Sequence, residues 1–216
     1  MKYELLNYNK DTNLYQIRAL KSFGNISKGE LGGYIEKEDN LSQYGNAWVY
    51  GNAEVSGDAW VSGNAKVYGN AKVYGNAKVY GNAEVSGDAW VSGNAKVYGN
   101  ARVSDNAKVY GNAEVSGDAE VSGDAEVSGN ARVSYNARVP KGSIQKSSDY
   151  IVLKNVHTSN RYYTYIFIED IWVIGCFVGT TKELSVHLKD KGNTLQQKEY
   201  IAAINYVQSL KEITNG

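Results

Sequence analysis

Valine recurs at every sixth position from Val49 to Val139 without a gap, inside sixteen successive copies of one six-residue unit. The unit reads Tyr or Ser, Gly, Asn or Asp, Ala, a variable residue, Val. A repeat this short and this strict cannot bury a core within one copy, so successive copies must stack on one another as a β-solenoid. Ala, the variable residue, Val and the following Tyr or Ser form a strand whose period-two alternation points Ala and Val inward and the other two outward. Gly-Asn or Gly-Asp turns the corner, because Gly accepts positive φ without steric cost and Asn or Asp tolerates the left-handed region.

Three such sides close a triangular coil of eighteen residues, and the variable positions test that number. Residues stacked on parallel strands avoid like charges and favour opposite ones. At an offset of 18 the variable positions give eight opposite-charge pairs and one like pair, Lys78 with Lys96, whereas an offset of 6 gives three opposite and seven like. Offset 12 also leans toward opposite pairs, seven to three, so eighteen is favoured over a close rival. The column Lys66, Glu84, Arg102, Glu120, Arg138 alternates throughout. The expected fold is mainly β, about five coils over residues 44–140, with an N-terminal cap over 1–43 and a small C-terminal α+β module over 148–216.

The spacing of an aliphatic residue and a small residue four places on, as in Val55 and Ala59 or Val61 and Ala65, resembles the hexapeptide-repeat proteins. The resemblance implies a left-handed parallel β-helix. The flanks, Leu14–Leu20, Gly29–Tyr34 and Leu41–Val49 before the repeat and Gly175–Thr180 and Tyr200–Ile204 after it, resemble uncharacterised hexapeptide-repeat proteins of phages and prophages. That resemblance implies an accessory protein of a mobile element, working in the cytoplasm of a bacterial host.

At the ends the pattern changes. Tyr3–Leu6 and Tyr15–Leu20 read as short strands, and Ile35 and Leu41 already keep a six-residue spacing. Pro140, the one proline, lacks a donor and falls where the last repeat strand ends. Beyond it, 150–156, 161–168 and 171–177 read as strands, the last two joined at Glu169-Asp170. A helix begins at Thr181 and ends by Gly192, and a second runs over 195–213 with an apolar stripe of Tyr200, Ile201, Ile204, Val207 and Leu210.

Composition bounds the function. The 216 residues carry no net charge and are 42% hydrophobic, which fits a packed chain and argues against general nucleic-acid coating. No apolar run is long enough for a membrane span, and the Met1-Lys2-Tyr3-Glu4 start opens no signal core. The single cysteine, Cys176, excludes an intramolecular disulfide and sits among Ile174, Phe177 and Val178 as if buried.

No catalytic residue is expected. Acyl and sugar transferases built on left-handed β-helices usually rely on a histidine as general base in a cleft between subunits, and the only histidines here, His157 and His187, lie outside the solenoid. An acyltransferase is therefore the weakest reading. Neither a metal site nor a cofactor is expected: the Gly-Asp corners offer too few oxygens per turn for calcium, and no strand-to-helix glycine loop cradles phosphate.

Two contact surfaces remain. The first is the aromatic cluster of the C-terminal module, Tyr162, Tyr163, Tyr165 and Trp172, an exposed subset of which is read as anchors for a host or phage protein while part is core, with a counter-defence inhibitor as one version. The second, for a nucleotide or glycan, is a solenoid face carrying Trp60, Lys78, Tyr80, Lys96 and Tyr98; a neighbouring face carries Lys72, Tyr74, Trp90, Lys108 and Tyr110. Residues 49–71 are identical to 79–101, an offset of 30 that is no multiple of 18. The copy thus lands on different sides, which weighs against a face-specific site. From Asp105 to Glu126 six acids face one lysine, while Lys66, Lys72 and Lys78 lie together without an acid between them, so the rod is electrically polar along its axis. Exposed Trp60 and Trp90 favour a homo-oligomer, dimer or trimer.

Overall fold

In the computed structural model the described residues are 1–154, 158, 160–189 and 194–215. They form two compact units, Met1–Ser147 and Ser148–Gly216. The first unit is a parallel β-solenoid of about six turns. Each six-residue unit contributes a two-residue strand, from Trp48–Val49 to Arg138–Val139, and the strands stack with register offsets of eighteen, as in Glu84 on Arg102 and Val85 on Val103. Every repeat Ala and Val is sealed from solvent. On most sides three backbone bonds join successive coils, as where Lys66 N donates to Ala83 O at 2.9 Å, Tyr68 N to Val85 O at 3.0 Å and Asn70 N to Gly87 O at 2.8 Å.

The variable positions behave as the charge pattern requires. Lys66 bonds Glu84 at 3.3 Å, Lys72 bonds Glu54 at 3.0 Å, Lys96 bonds Glu114 at 3.0 Å and Arg138 bonds Glu120 at 3.0 Å, all between stacked strands. At the corners, amides donate up the stack from Asn46 to Asn64, Asn82, Asn100 and finally Asp118, which accepts and ends the ladder.

The corner glycines are fixed by both φ and space. Gly69 has φ +73, and a Cβ there would lie 2.9 Å from the backbone N and O of Gly87. Two corners depart: Asp105 and Tyr135 hold φ 58 and 59 with side chains. Asp105 gains a partner, since its carboxylate accepts the Gly123 N–H at 3.0 Å. Tyr135 is 76% exposed. Tyr135→Gly should therefore raise stability by about 1 kcal/mol, and Asp105→Gly should be close to neutral because it trades strain for a lost bond. Denaturant midpoints of the two variants check the contrast.

The coil extends past the repeat on both sides, so about five coils over 44–140 becomes about six. Strand β1 (Tyr3–Asn9) pairs antiparallel with β2 (Leu14–Ala19), and β2 with β3 (Leu31–Ile35). β3 then pairs in parallel with Glu54–Val55, putting Ile35 on Val55, and Leu41 bridges to Val61. At the far end Ser143–Ile144 stacks on Glu126–Val127, with Ile144 buried like a repeat valine. The six-residue rhythm breaks at both junctions, which take eight residues from Leu41 to Val49 and five from Val139 to Ile144.

The hairpin covers the start of the core. Trp48 is fully buried with its ring edge-on to Tyr3 at 6.2 Å and Phe23 at 5.4 Å. Gly32 and Gly33 permit the approach: a Cβ on Gly32 would sit 2.6 Å from Val49 O, and one on Gly33 2.6 Å from Ala53 O. The buried Asn40 amide donates to Gly57 O at 2.9 Å and Ala59 O at 2.8 Å, supplying the bonds an earlier coil would have made.

Lys2 is sealed in this cap. Its ammonium donates to Ala47 O at 2.9 Å and lies 5.1 Å from the centre of the Phe23 ring. Burial, with help from nearby Lys21, pushes it down to about 8. The unfolded chain binds the Lys2 proton up to about pH 10.4, so between those two values the unfolded state holds more protons and stability rises with pH. The slope should approach about 1.4 kcal/mol per pH unit between pH 8 and 10 and vanish in Lys2→Met, as chemical denaturation at each pH will show. Tyr3, raised by burial and by Glu38 and Asp39, opposes this trend only above the ordinary phenol range.

The second unit is an antiparallel meander with two helices. Strands β4 (Tyr150–Lys154), β5 (Tyr162–Ile166), β6 (Ile171–Ile174) and β7 (Phe177–Thr180) pair in sequence order, followed by α1 (Thr181–Lys189) and α2 (Leu195–Asn215). The strand expected over 171–177 is thus two strands, cut by a turn at Gly175-Cys176 where Gly175 takes φ +58. Thr180 and Glu183 cap α1 reciprocally: Glu183 accepts the Thr180 N–H at 2.7 Å and the Thr180 hydroxyl accepts the Glu183 N–H at 3.2 Å. Tyr200, Ile204 and Val207 of α2 face the sheet, whereas Ile201 points outward. Among the described residues no helix is long and apolar enough to cross a membrane.

Candidate functional site

The solenoid places its five candidates on one sheet. Trp60, Lys78 and Lys96 stack in register, and the Tyr80 and Tyr98 rings lie parallel with centroids 5.0 Å apart. Lys96 is bound to Glu114, whose carboxyl falls below its ordinary range chiefly because it accepts that bond. Lys78, stacked on Lys96, is the one strand cation of the solenoid with no ion pair among the described residues. On the next sheet Lys72 and Lys108 are both paired, with Glu54 and Glu126, and Tyr74 meets Trp90 edge-on. The outward side chains of the rod are mostly committed to one another.

In the second unit the aromatic cluster divides. Tyr163, Tyr165 and Trp172 are at most 2% exposed and pack with Ile174, Leu184, Leu188, Tyr200, Ile204 and Val207. Three of the four candidate anchors are thereby removed: Tyr163, Tyr165 and Trp172 are the part of the cluster that forms the hydrophobic core and seats both helices on the sheet. Tyr163 and Tyr165 alternate on β5 toward the helices, and register pairs them with Ile174 and Trp172 of β6. Tyr162 points the other way, is 38% exposed and carries the Lys154 ammonium over its ring at 5.4 Å. Of the four it alone can touch a partner.

A polar hub locks the same core. The Asp170 carboxylate accepts the hydroxyls of Tyr165 and Thr181, each at 2.6 Å, the Thr181 N–H at 3.2 Å and the Lys211 ammonium at 3.2 Å. The Thr181 hydroxyl in turn accepts the Trp172 indole N–H at 2.9 Å. Burial alone would raise the Asp170 carboxyl, but the bonds from Thr181, Tyr165 and Lys211 outweigh it and hold it below its ordinary value. Burial and the bond to Asp170 push the Tyr165 phenol up. The hub ties the β5–β6 turn to the start of α1 and the far part of α2, which makes it structural.

Beside this core opens a cleft of about 610 Å³, lined by Arg161, Ile174, Cys176, Phe177, Leu184, His187, Gln196 and Tyr200. Its floor is apolar and its rim polar. Phe177 stacks on His187 with centroids 5.4 Å apart, and the Gln196 amide donates to the Tyr200 hydroxyl at 2.9 Å. Cys176 is exposed at this rim, which corrects the burial expected of it: the residue sits on the β6–β7 turn, outside the strand. His187 lies on α1 as expected, and His157 falls outside the described residues. Sequence reasoning missed Arg161, Phe177, Gln196 and Tyr200 as cleft residues; Gly175, a turn residue inside an apolar run, was the available signal.

Among the described residues no three His, Cys, Asp or Glu side chains cluster as metal ligands do. No curated protein matches the chain. Residues 95–111, in the middle of the solenoid, match the family model of the YdcK β-solenoid repeat. Together with the stacked coils, that match makes the chain a β-solenoid repeat protein.

Proposed function

We propose that the chain is a non-enzymatic interaction protein in which the solenoid is a stiff scaffold and the C-terminal unit makes the contact. One observation carries this reading. The solenoid's outward charges neutralise one another between coils, whereas the C-terminal unit presents an open, half-apolar cleft. The resemblance of the flanks supports a phage or prophage setting, the cytoplasm of a bacterial host, and a host or phage protein as partner, with counter-defence inhibition as the specific version. Exposed Trp60 and Trp90, 41% and 44% open, favour self-association as a dimer or trimer.

A second reading has its own observation. Lys78 has no ion pair among the described residues and is stacked between Trp60 and Lys96 on the sheet side that also carries the Tyr80–Tyr98 pair, which suits a nucleotide or a charged glycan. Affinity capture from the host with the full chain as bait, beside native mass spectrometry of the purified protein, separates the two. The interaction reading expects a protein recovered in stoichiometric amount. A small-molecule adduct lost in Lys78→Ala, with no protein recovered, would replace it by the ligand reading.

A further inference from the structure

We infer that the C-terminal cleft is a binding site for an apolar group that carries one carboxylate. The inference deepens the proposed contact role of the C-terminal unit and rests on it. Ile174, Phe177, Leu184 and Tyr200 supply the apolar floor, and about 610 Å³ is the size of a small-ligand site. Among the described residues no carboxylate lines the cleft.

The polar groups at its rim are donors. Arg161 reaches over Gly175, where an added Cβ would lie 3.2 Å from its guanidinium, and it forms no ion pair among the described residues. The Tyr200 hydroxyl accepts from Gln196 and donates to no group among the described residues, which leaves its proton for a ligand. His187 contributes an imidazole edge beside Phe177. An adjoining hollow shares Phe177 and His187 and adds Lys182; its one acid, Glu183, is engaged by the Thr180 N–H and hydroxyl. A guanidinium with no counter-ion among the described residues, above an apolar floor that also carries the Tyr200 hydroxyl, selects a carboxylate over a neutral group of the same shape.

The test uses the full chain with N-acetylphenylalanine and its amide as probes. Calorimetry reads affinity, and iodoacetamide alkylation reads occupancy, because Cys176 is the only cysteine and sits at the rim. The acid should bind about tenfold or more tighter than the amide and slow alkylation of Cys176. Arg161→Gln, with unchanged melting, should erase the difference between acid and amide while weak apolar binding persists. A tripeptide ending in phenylalanine, free and amidated, tells a protein C-terminus from a free acid: tighter binding than the acetylated residue assigns the site to chain ends. Equal affinity for acid and amide overturns the inference, and so does the absence of both binding and protection. Should that happen while partner capture persists, the carboxylate site falls and the contact role stands; acid binding without any captured partner has the opposite meaning.

Discussion

Val85→Asp should abolish the folded solenoid. Val85 is fully buried, stacked between Val67 and Val103 in a column of valines and alanines. A carboxylate there meets no donor in the core, and the cost of an unpaired buried charge, more than about 4 kcal/mol, rivals the whole stability of a domain. Val85→Ala loses only two methyls, about 2 kcal/mol with the cavity included, and should melt lower while staying folded. Because each coil rests on the next, the Asp variant should lose the β signal of the rod as a unit. Circular dichroism of the two variants checks this; an Asp variant that melts like wild type would reverse the inward assignment of the valines.

Asp170→Ala should unseat the helices of the C-terminal unit and leave the solenoid folded. The substitution removes the acceptor shared by Tyr165, Thr181 and Lys211 and strands the buried Tyr165 hydroxyl, a loss of about 3 kcal/mol. The pH dependence has a definite sign. Asp170 is held below its ordinary value when folded, so its stabilisation is complete above the unfolded carboxyl value of about 4 and drains away as pH falls below it. Helical signal lost on acidification in the wild type, and already weakened at neutral pH in the variant, is the expected pair of results.

The centre of the fold was legible because one constraint repeats. Inward Val and Ala, corner Gly-Asn and opposite charges at offset 18 each demand the same eighteen-residue coil, and the stacked strands have that register. The ends were not legible by the same logic. Ile35, Leu41 and Ile144 do the work of repeat valines, but eight- and five-residue links take them out of phase with the run. In the C-terminal unit the sequence shows that β5 is aromatic; which aromatics turn inward depends on the face the helices cover. Tyr163 and Tyr165 fall on that face and Tyr162 does not. The cleft is least legible of all: Arg161, Phe177, His187 and Gln196 come from four separate stretches of chain, and no local spacing joins them.

The central claim, that the C-terminal unit makes the contact and the rod holds it, is tested most directly by comparing retention of one captured partner by two variants of matched stability. The first carries Tyr162→Ala with Phe177→Ala, an exposed aromatic and a cleft wall. The second carries Trp60→Ala with Lys78→Ala on the solenoid face. Aromatic anchors are worth about 2 kcal/mol or more, so the first variant should lose retention by roughly thirtyfold or more while the second keeps it. Full retention by the C-terminal variant together with loss by the solenoid variant would contradict the account and move the site to the rod.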